Sequence, residues 1–254
     1  MTTCVIDIGN NRIKLAIFIN DKISRVRSIA NQEIHPYLEL YLKEANVTHV
    51  FINEENTDYT KQVVKIILDL CIPLIRCDRN QLSMKYDIET TNPPTSRTLA
   101  NLYGALHHFP CNNCLVVEMN RETKFDYVTQ DGIYLGGACF PIINTDKSPA
   151  NEVIKPKEAI QKDTQLRLYS GIYYGILGAI ERICAELIIN SPSPSSVKII
   201  TTGDMIELAS TFGEESSLTV LDDLKDITDT IDPHLSLWGL HEILKEHLSN
   251  TQEK

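Results

Sequence analysis

The feature that most constrains this chain is that its opening pattern recurs. Val5-Ile6-Asp7 aligns with Val116-Val117-Glu118, and Lys14, Asp21 and Ile23 align with Lys124, Asp131 and Ile133, an offset of about 110 residues. The second hairpin is one residue shorter than the first. Strands share composition, so one hairpin can resemble another by chance. The order of the elements that follow favours duplication. In the first half, hydrophobic periodicity predicts strands at 3–8, 12–19 and 23–28, a helix over 33–45, a strand at 49–53, a helix over 57–70, a short strand at 73–76 and a helix over 97–108. In the second it predicts strands at 115–119, 124–129 and 133–139, a helix over 171–189, a strand at 197–201, a helix over 204–211, a strand at 217–221 and a final amphipathic helix over 234–248. The expected architecture is α/β, two β-β-β-α-β-α halves at 1–112 and 113–254 with a ligand cleft between them, each opening hairpin facing the cleft.

Length and composition agree with two compact halves. The chain has 254 residues, 43% of them hydrophobic and 23% charged, as in ordinary globular domains. The formal net charge of −10 argues against a surface that coats nucleic acid. No run approaches the ~20 apolar residues of a membrane span, and MTTCVIDI lacks the basic start of a signal peptide. The expectation is a soluble, cytoplasmic protein that engages neither membrane nor nucleic acid. Seven cysteines, mostly in apolar segments, read as reduced core thiols; Cys111 and Cys114 form the CxxC spacing, with no second pair to complete a zinc site.

The first turn has the residues that phosphate chemistry needs. In Asp7-Ile8-Gly9-Asn10-Asn11-Arg12-Ile13-Lys14, Gly9 permits close backbone approach, and the turn can aim N–H groups at phosphate oxygens. Asp7 can hold a hydrated Mg²⁺, while Arg12 and Lys14 can offset phosphate charge. Read alone, the octapeptide fits an ordinary hairpin equally well. The polar, Pro-rich stretch 78–96 is a long connection of the kind that is often functional.

Segments spread over nearly the whole chain add to this reading. DIGNNRIKLAIF (7–18), TSRTLANLYGA (95–105), DGIYLGGACFP (131–141), DTQLRLYSGIYYGILGAIE (163–181), ITTGD (200–204) and HLSLWGL (234–240) resemble, in order, segments of type III pantothenate kinases. The resemblance implies a duplicated actin-like, ribonuclease-H-like fold, usually a homodimer. It also implies ATP-dependent phosphorylation of pantothenate, the first step of coenzyme A synthesis, with Mg²⁺ and a monovalent cation, K⁺ or NH₄⁺. Carried over residue by residue, Asp7, Gly9 and Asn10 match the family's first phosphate motif, D-x-G-N-T, whose Thr is Asn11 here. Tyr86 resembles the tyrosine that contacts pantothenate. In the G-x-D-R motif, Gly, Asp and Arg fall on Pro94, Ser96 and Arg97, so the substrate-holding Arg is kept and the proton acceptor is a serine. The second phosphate motif, D-x-G-T-x-T, falls on residues 118–123. Its cation-binding Asp is Glu118, its Gly is Asn120, its nucleotide-contacting Thr is Arg121, and its final Thr is kept as Thr123. Thr164 occupies the place of the substrate threonine ahead of the SG-x-x-x-G helix.

Two readings follow. One is a pantothenate kinase with a reduced rate, since loss of a general base commonly costs 10²–10⁴ in rate, although a loose phosphoryl-transfer transition state tolerates it. The other is a catalytically inactive member that binds nucleotide or serves regulation. Both ligands are anions, so Arg12, Lys14, Arg97, Arg121 and Lys124 are expected to make their site locally less negative than the surface. Tyr169, Tyr173 and Tyr174, at helical spacing, read as packing. Trp238 reads as core or dimer contact, and His107 and His108 as the end of a helix. The acidic run Asp222, Asp223, Asp226, Asp229 and Asp232 reads as a solvated surface with capping roles.

Overall fold

A computed structural model describes residues 2–9, 12–53, 58–76, 82–86, 94–120, 122–141, 155–156, 158–192, 194–207 and 220–252. Its first elements are β1 (Thr2–Ile8), β2 (Arg12–Ile19), β3 (Lys22–Ala30), α1 (Ile34–Glu44), β4 (His49–Ile52), α2 (Asp58–Asp69), β5 (Leu74–Arg76), β6 (Lys85–Tyr86) and α3 (Ser96–His108). There follow β7 (Asn113–Met119), β8 (Glu122–Val128), β9 (Ile133–Pro141), α4 (Thr164–Ile189), β10 (Val197–Thr202), α5 (Val220–Leu224), β11 (Thr230–Ile231) and α6 (Leu235–Gln252). The chain forms two compact units: Met1–Met84 with Ile88–His108 and Leu235–Lys254, and Lys85–Asp87 with Phe109–His234.

In the first unit, β1 lies at the centre of the order β3-β2-β1-β4-β5. It runs antiparallel to β2 and parallel to β4. The β2–β3 hairpin closes through Asn20 and Asp21, both at positive φ (51° and 62°), the type I′ geometry whose twist suits a two-residue loop. Alternation along β1 splits its side chains between two layers. Cys4, Ile6 and Ile8 join a core with Ile34, Leu38 and Leu42 of α1 and Val63, Ile66 and Ile67 of α2. Val5 packs on the other face with Ala16, Phe18, Phe51, Ala100 of α3 and Leu237, Leu240, Ile243 and Leu244 of α6. Asp7 shares the parity of Val5, so it belongs to the α3/α6 side.

The second unit repeats the order. Its sheet runs β11-β10-β7-β8-β9-β6, so β9-β8-β7-β10-β11 reproduces the first sheet, with β6 added at an edge. The repeat extends to register: Asp7 pairs with Lys14 across β1 and β2, and Glu118 pairs with Lys124 across β7 and β8. Leu115, Val117, Met119 and Phe125 pack with Tyr173, Ile176 and Ile180 of α4.

Several expectations are corrected. The single boundary at 112/113 gives way to a discontinuous first unit, because α6 packs on α3, and β6, inside the expected 78–96 connection, pairs with β9. Helix α4 begins at Thr164 rather than 171, because the Asp163 carboxylate caps it, accepting from the N–H groups of Gln165 (2.9 Å) and Leu166 (3.0 Å). Where a strand was expected at 217–221, Val220–Leu224 is helical, with Asp222 and Asp223 in its first turn, where negative charge is favoured; residues 217–219 lie outside the description. The edge strand is instead β11, beside the Asp229 carboxylate, which accepts from Lys198 Nζ (2.7 Å) and from the Ile199 N–H (2.8 Å). The acidic run therefore has structural ties, Asp223 also being bound by Lys155 and the Tyr173 hydroxyl. The helix expected over 204–211 is described only to 207. Six cysteines are described, all as free thiols.

The α3/α6 crossing is built on absent side chains. A Cβ at Gly239 would lie 1.6 Å from the Ala100 carbonyl oxygen, and one at Gly104 would lie 2.3 Å from the Leu235 carbonyl oxygen. Backbone cannot yield as a flexible side chain can, so Gly239→Ala is expected to destabilise the protein by about 2–3 kcal/mol in urea unfolding. Gly178→Ala on α4, with no atom within 4 Å of the new methyl among the described residues, is expected to be neutral or to stabilise by up to about 1 kcal/mol.

Candidate functional site

The first unit presents a buried carboxylate at the end of its central strand. Asp7 is 1% exposed. Its Oδ1 accepts from Asn53 Nδ2 at 2.6 Å and from Arg97 Nη2 at 3.3 Å and Nε at 3.4 Å; its Oδ2 accepts from the Ser236 hydroxyl at 2.7 Å. Burial alone would raise its pKa. The charges of Arg97 and Lys14, with the Ser236 and Arg97 hydrogen bonds, outweigh burial and hold the carboxyl below the usual carboxylate range. Asp7 is thus an anion at neutral pH. Each partner arrives by ordinary strand and helix geometry. Asn53 follows β4, and its Oδ1 also accepts from the Ile8 N–H at 2.9 Å. Arg97 lies in the first turn of α3, whose start Thr95 caps by accepting from the Thr98 N–H at 3.1 Å. Ser236 lies in the first turn of α6.

Gly9 follows immediately. Its N–H donates to the Arg12 carbonyl at 3.0 Å, and its carbonyl accepts from Asn31 Nδ2 at 3.1 Å. A Cβ here would lie 2.4 Å from Arg97 Nη2, so the glycine is what lets the guanidinium pass to Asp7. A buried anion, a glycine backbone and two cations in this order suit recognition of a phosphate with its metal.

The second unit has a parallel set with other partners. Glu118 is buried, and its Oε1 accepts from Asn120 Nδ2 at 2.9 Å. Lys124, its register partner, forms an ion pair with Glu122 at 3.3 Å. Burial tends to lower the Lys124 pKa, but Glu118, Glu122 and Asp126 more than offset it and hold it above the usual lysine range. Asp126 receives the Tyr134 hydroxyl at 2.7 Å. Burial foremost, with the Glu118 charge, pushes its pKa up to about 6 despite that hydrogen bond and Lys124.

The sequence-derived residues therefore separate. Asp7, Gly9, Lys14 and Arg97 come together in the first unit; Glu118, Asn120 and Lys124 do so in the second. Arg12 is directed elsewhere: its Nε donates to Ser28 Oγ (2.8 Å) and its Nη2 to the Ser28 carbonyl (3.0 Å), so the expected phosphate cation serves β3. Ser96 is wholly buried. Thr123, the register partner of Met119, is also wholly buried, its hydroxyl without a hydrogen-bond partner among the described residues. Thr164 is exposed at the start of α4. Asn10, Asn11, Arg121 and the side chain of Tyr86 lie outside the described residues. Sequence reasoning missed Asn53 and Ser236. A polar residue directly after an apolar strand was the available signal for Asn53, because ligands gather at the carboxyl ends of parallel strands. Nothing in the sequence pointed from Ser236 to Asp7.

Two sheets that share one five-strand order, each with an acidic residue near the end of its central strand, define a duplicated actin-like, ribonuclease-H-like α/β protein. The fold is shared with the ethanolamine utilization protein EutJ of Carboxydothermus hydrogenoformans, at a TM-score of 0.50 and 11% identity, over 94% of this chain and 89% of that one. The family follows from sequence: a model of type III pantothenate kinases matches residues 3–186, and the chain belongs to that family. It is 27% identical over 236 residues to a type III pantothenate kinase of Legionella pneumophila, covering 82% of this chain and 89% of the relative. To one of a Geobacillus species it is 24% identical over 278 residues, covering 98% and 99%.

The two carboxylates give opposite pH dependences. Asp7, with a lowered pKa, contributes stability above the ordinary carboxylate pKa that is lost as pH falls through its folded value. Asp126, with a raised pKa, contributes stability at low pH that is lost as pH rises through about 6. Asp126→Asn, which can still accept from Tyr134, is expected to stabilise the protein at about pH 8 by up to roughly 3 kcal/mol and to change little at about pH 4, measured by urea unfolding at both.

Proposed function

We propose that this protein is a pantothenate kinase, transferring the γ-phosphate of ATP to the primary hydroxyl of pantothenate at a reduced rate. The observation that carries the reading is the ionised Asp7, buried at the Gly9 turn with Arg97 on its carboxylate, in a chain of this family. Phosphoryl transfer is mostly positioning and charge stabilisation, so a fixed anion and adjacent cations are the parts it most needs.

The donor set suits Mg²⁺ with nucleotide, since such ions are ordinarily held by one or two carboxylates, waters and phosphate oxygens. Asp7 is the residue to hold it, and the ion would neutralise phosphate charge. Glu118 is the carboxylate for a monovalent cation. Asn53 and Ser236 fix the Asp7 carboxylate in one orientation. Arg97, held on the Asp7 carboxylate, is a cation for the substrate carboxylate or for phosphate. Lys14 stays beside Asp7 and limits the repulsion between that carboxylate and an incoming anion. No carboxylate stands at position 96, so the hydroxyl proton of pantothenate would pass to water or to the transferred phosphoryl group rather than to a carboxylate there.

Ser96 also favours the second reading, a member that binds nucleotide without turnover, because its hydroxyl is fully buried as well as a poor base. ADP release with ATP, Mg²⁺, pantothenate and K⁺ or NH₄⁺ separates the two. Pantothenate-dependent release is expected, and none at high protein concentration, with ATP binding seen by calorimetry, would leave only the binding reading. Asp7→Asn should cost at least about 100-fold in kcat. Ser96→Asp should raise kcat by about tenfold or more; an unchanged kcat in a folded variant would remove Ser96 from the base position.

A further inference from the structure

We infer that Asn120 is an internal plug of the second turn, holding Glu118 and the Asp204 N–H in a self-satisfied arrangement that ATP must open. The inference rests on the kinase reading above and concerns how tightly that site takes its nucleotide.

Asn120 lies between β7 and β8, where the family's motif has a glycine. Its main-chain N–H donates to the Glu122 carbonyl at 3.1 Å and closes the turn. Both ends of its carboxamide are also engaged. Nδ2 donates to Glu118 Oε1 at 2.9 Å, and Oδ1 accepts from the Asp204 N–H at 2.8 Å. One side chain therefore ties the turn after β7 to the loop after β10. That loop lies directly on the strand end: Gly203 has φ +118°, and a Cβ there would come within 2.3–2.7 Å of the Met119 backbone. A main-chain N–H beside such a glycine is a donor of the kind that takes phosphate oxygens, and a buried carboxylate is a ligand for the accompanying cation. With Asn120 in place, an anion reaching the Asp204 N–H must displace Oδ1, and a cation reaching Glu118 must displace Nδ2. A glycine presents neither obstacle. Asn120 acts through Glu118 and Asp204, so it is a positioning residue, and its effect falls on ATP affinity.

The test compares ATP binding, with Mg²⁺ and K⁺ present, to the wild-type protein, Asn120→Gly and Asn120→Ala by calorimetry, with melting temperatures recorded in parallel. Both variants should bind ATP about tenfold more tightly, the worth of one displaced hydrogen bond, and Asn120→Ala keeps the test alive if the glycine variant does not fold. In the ligand-free wild type, the Asp204 amide should be protected from hydrogen exchange, a readout that needs no variant. Unprotected exchange overturns the inference. Unchanged or weaker ATP binding in a folded variant also overturns it but leaves the kinase reading standing. Absence of ATP binding in the wild type and both variants overturns the inference and the kinase reading together.

Discussion

A buried charge organises the first unit. Removing a carboxylate from water costs several kcal/mol unless other groups replace the lost solvation. Asp7 has that replacement from four different elements: Lys14 on β2, Asn53 after β4, Arg97 on α3 and Ser236 on α6. The alternation of β1 sets which side of the sheet this happens on, and the α3/α6 crossing brings two of the four partners within reach. The same requirement that stabilises the unit therefore fixes the geometry of its candidate site. An arrangement built this way has its donors already aimed at the carboxylate, which is what electrostatic preorganisation requires.

The duplicated copies show how far a shared scaffold can diverge at one position. Asp7 and Glu118 have the same place on their sheets and the same cross-strand lysine. In the first copy the partners are brought from distant elements. In the second, the carboxylate is met by its own turn, two residues away, and the loop after β10 is drawn in by the same amide. Asp126 adds a second buried acid on β8, where Ala16 has the corresponding place on β2.

The fold was largely legible in the sequence because its strongest signals are periodic. The buried β1 and β7, the Asn20-Asp21 turn and the offset between Lys14 and Lys124 all follow from local pattern. What local pattern could not reveal was long-range assembly. Helix α6 reads as amphipathic but does not state that its partner is α3, more than a hundred residues earlier. At 220–221, the end of the strand expected over 217–221, the chain is helical, because a short apolar run is ambiguous and neighbouring acids favoured a helix start instead. At the candidate site, residue type singled out Asp7, Gly9 and Arg97, which the structure brings together. It did not show that the Arg12 side chain turns to Ser28 of β3 or that Thr123 is buried, because both depend on which way each strand position faces. Strand parity, counted from Asp7, would have separated Thr123 from Lys124.

The return of α6 to the first unit has a consequence for how the chain becomes competent. The segments that surround Asp7 are separated by almost the whole length of the polypeptide, so the contact between Ser236 and Asp7 is among the most non-local in the molecule. Closing such a contact is entropically slow. Synthesis proceeds from the N-terminus, so Asp7 leaves the ribosome long before its last hydrogen-bond donor exists. Until then β1 holds an anion whose shell is incomplete. The second unit and the first unit's site are thereby ordered in time, since every residue of the second unit is synthesised before Ser236.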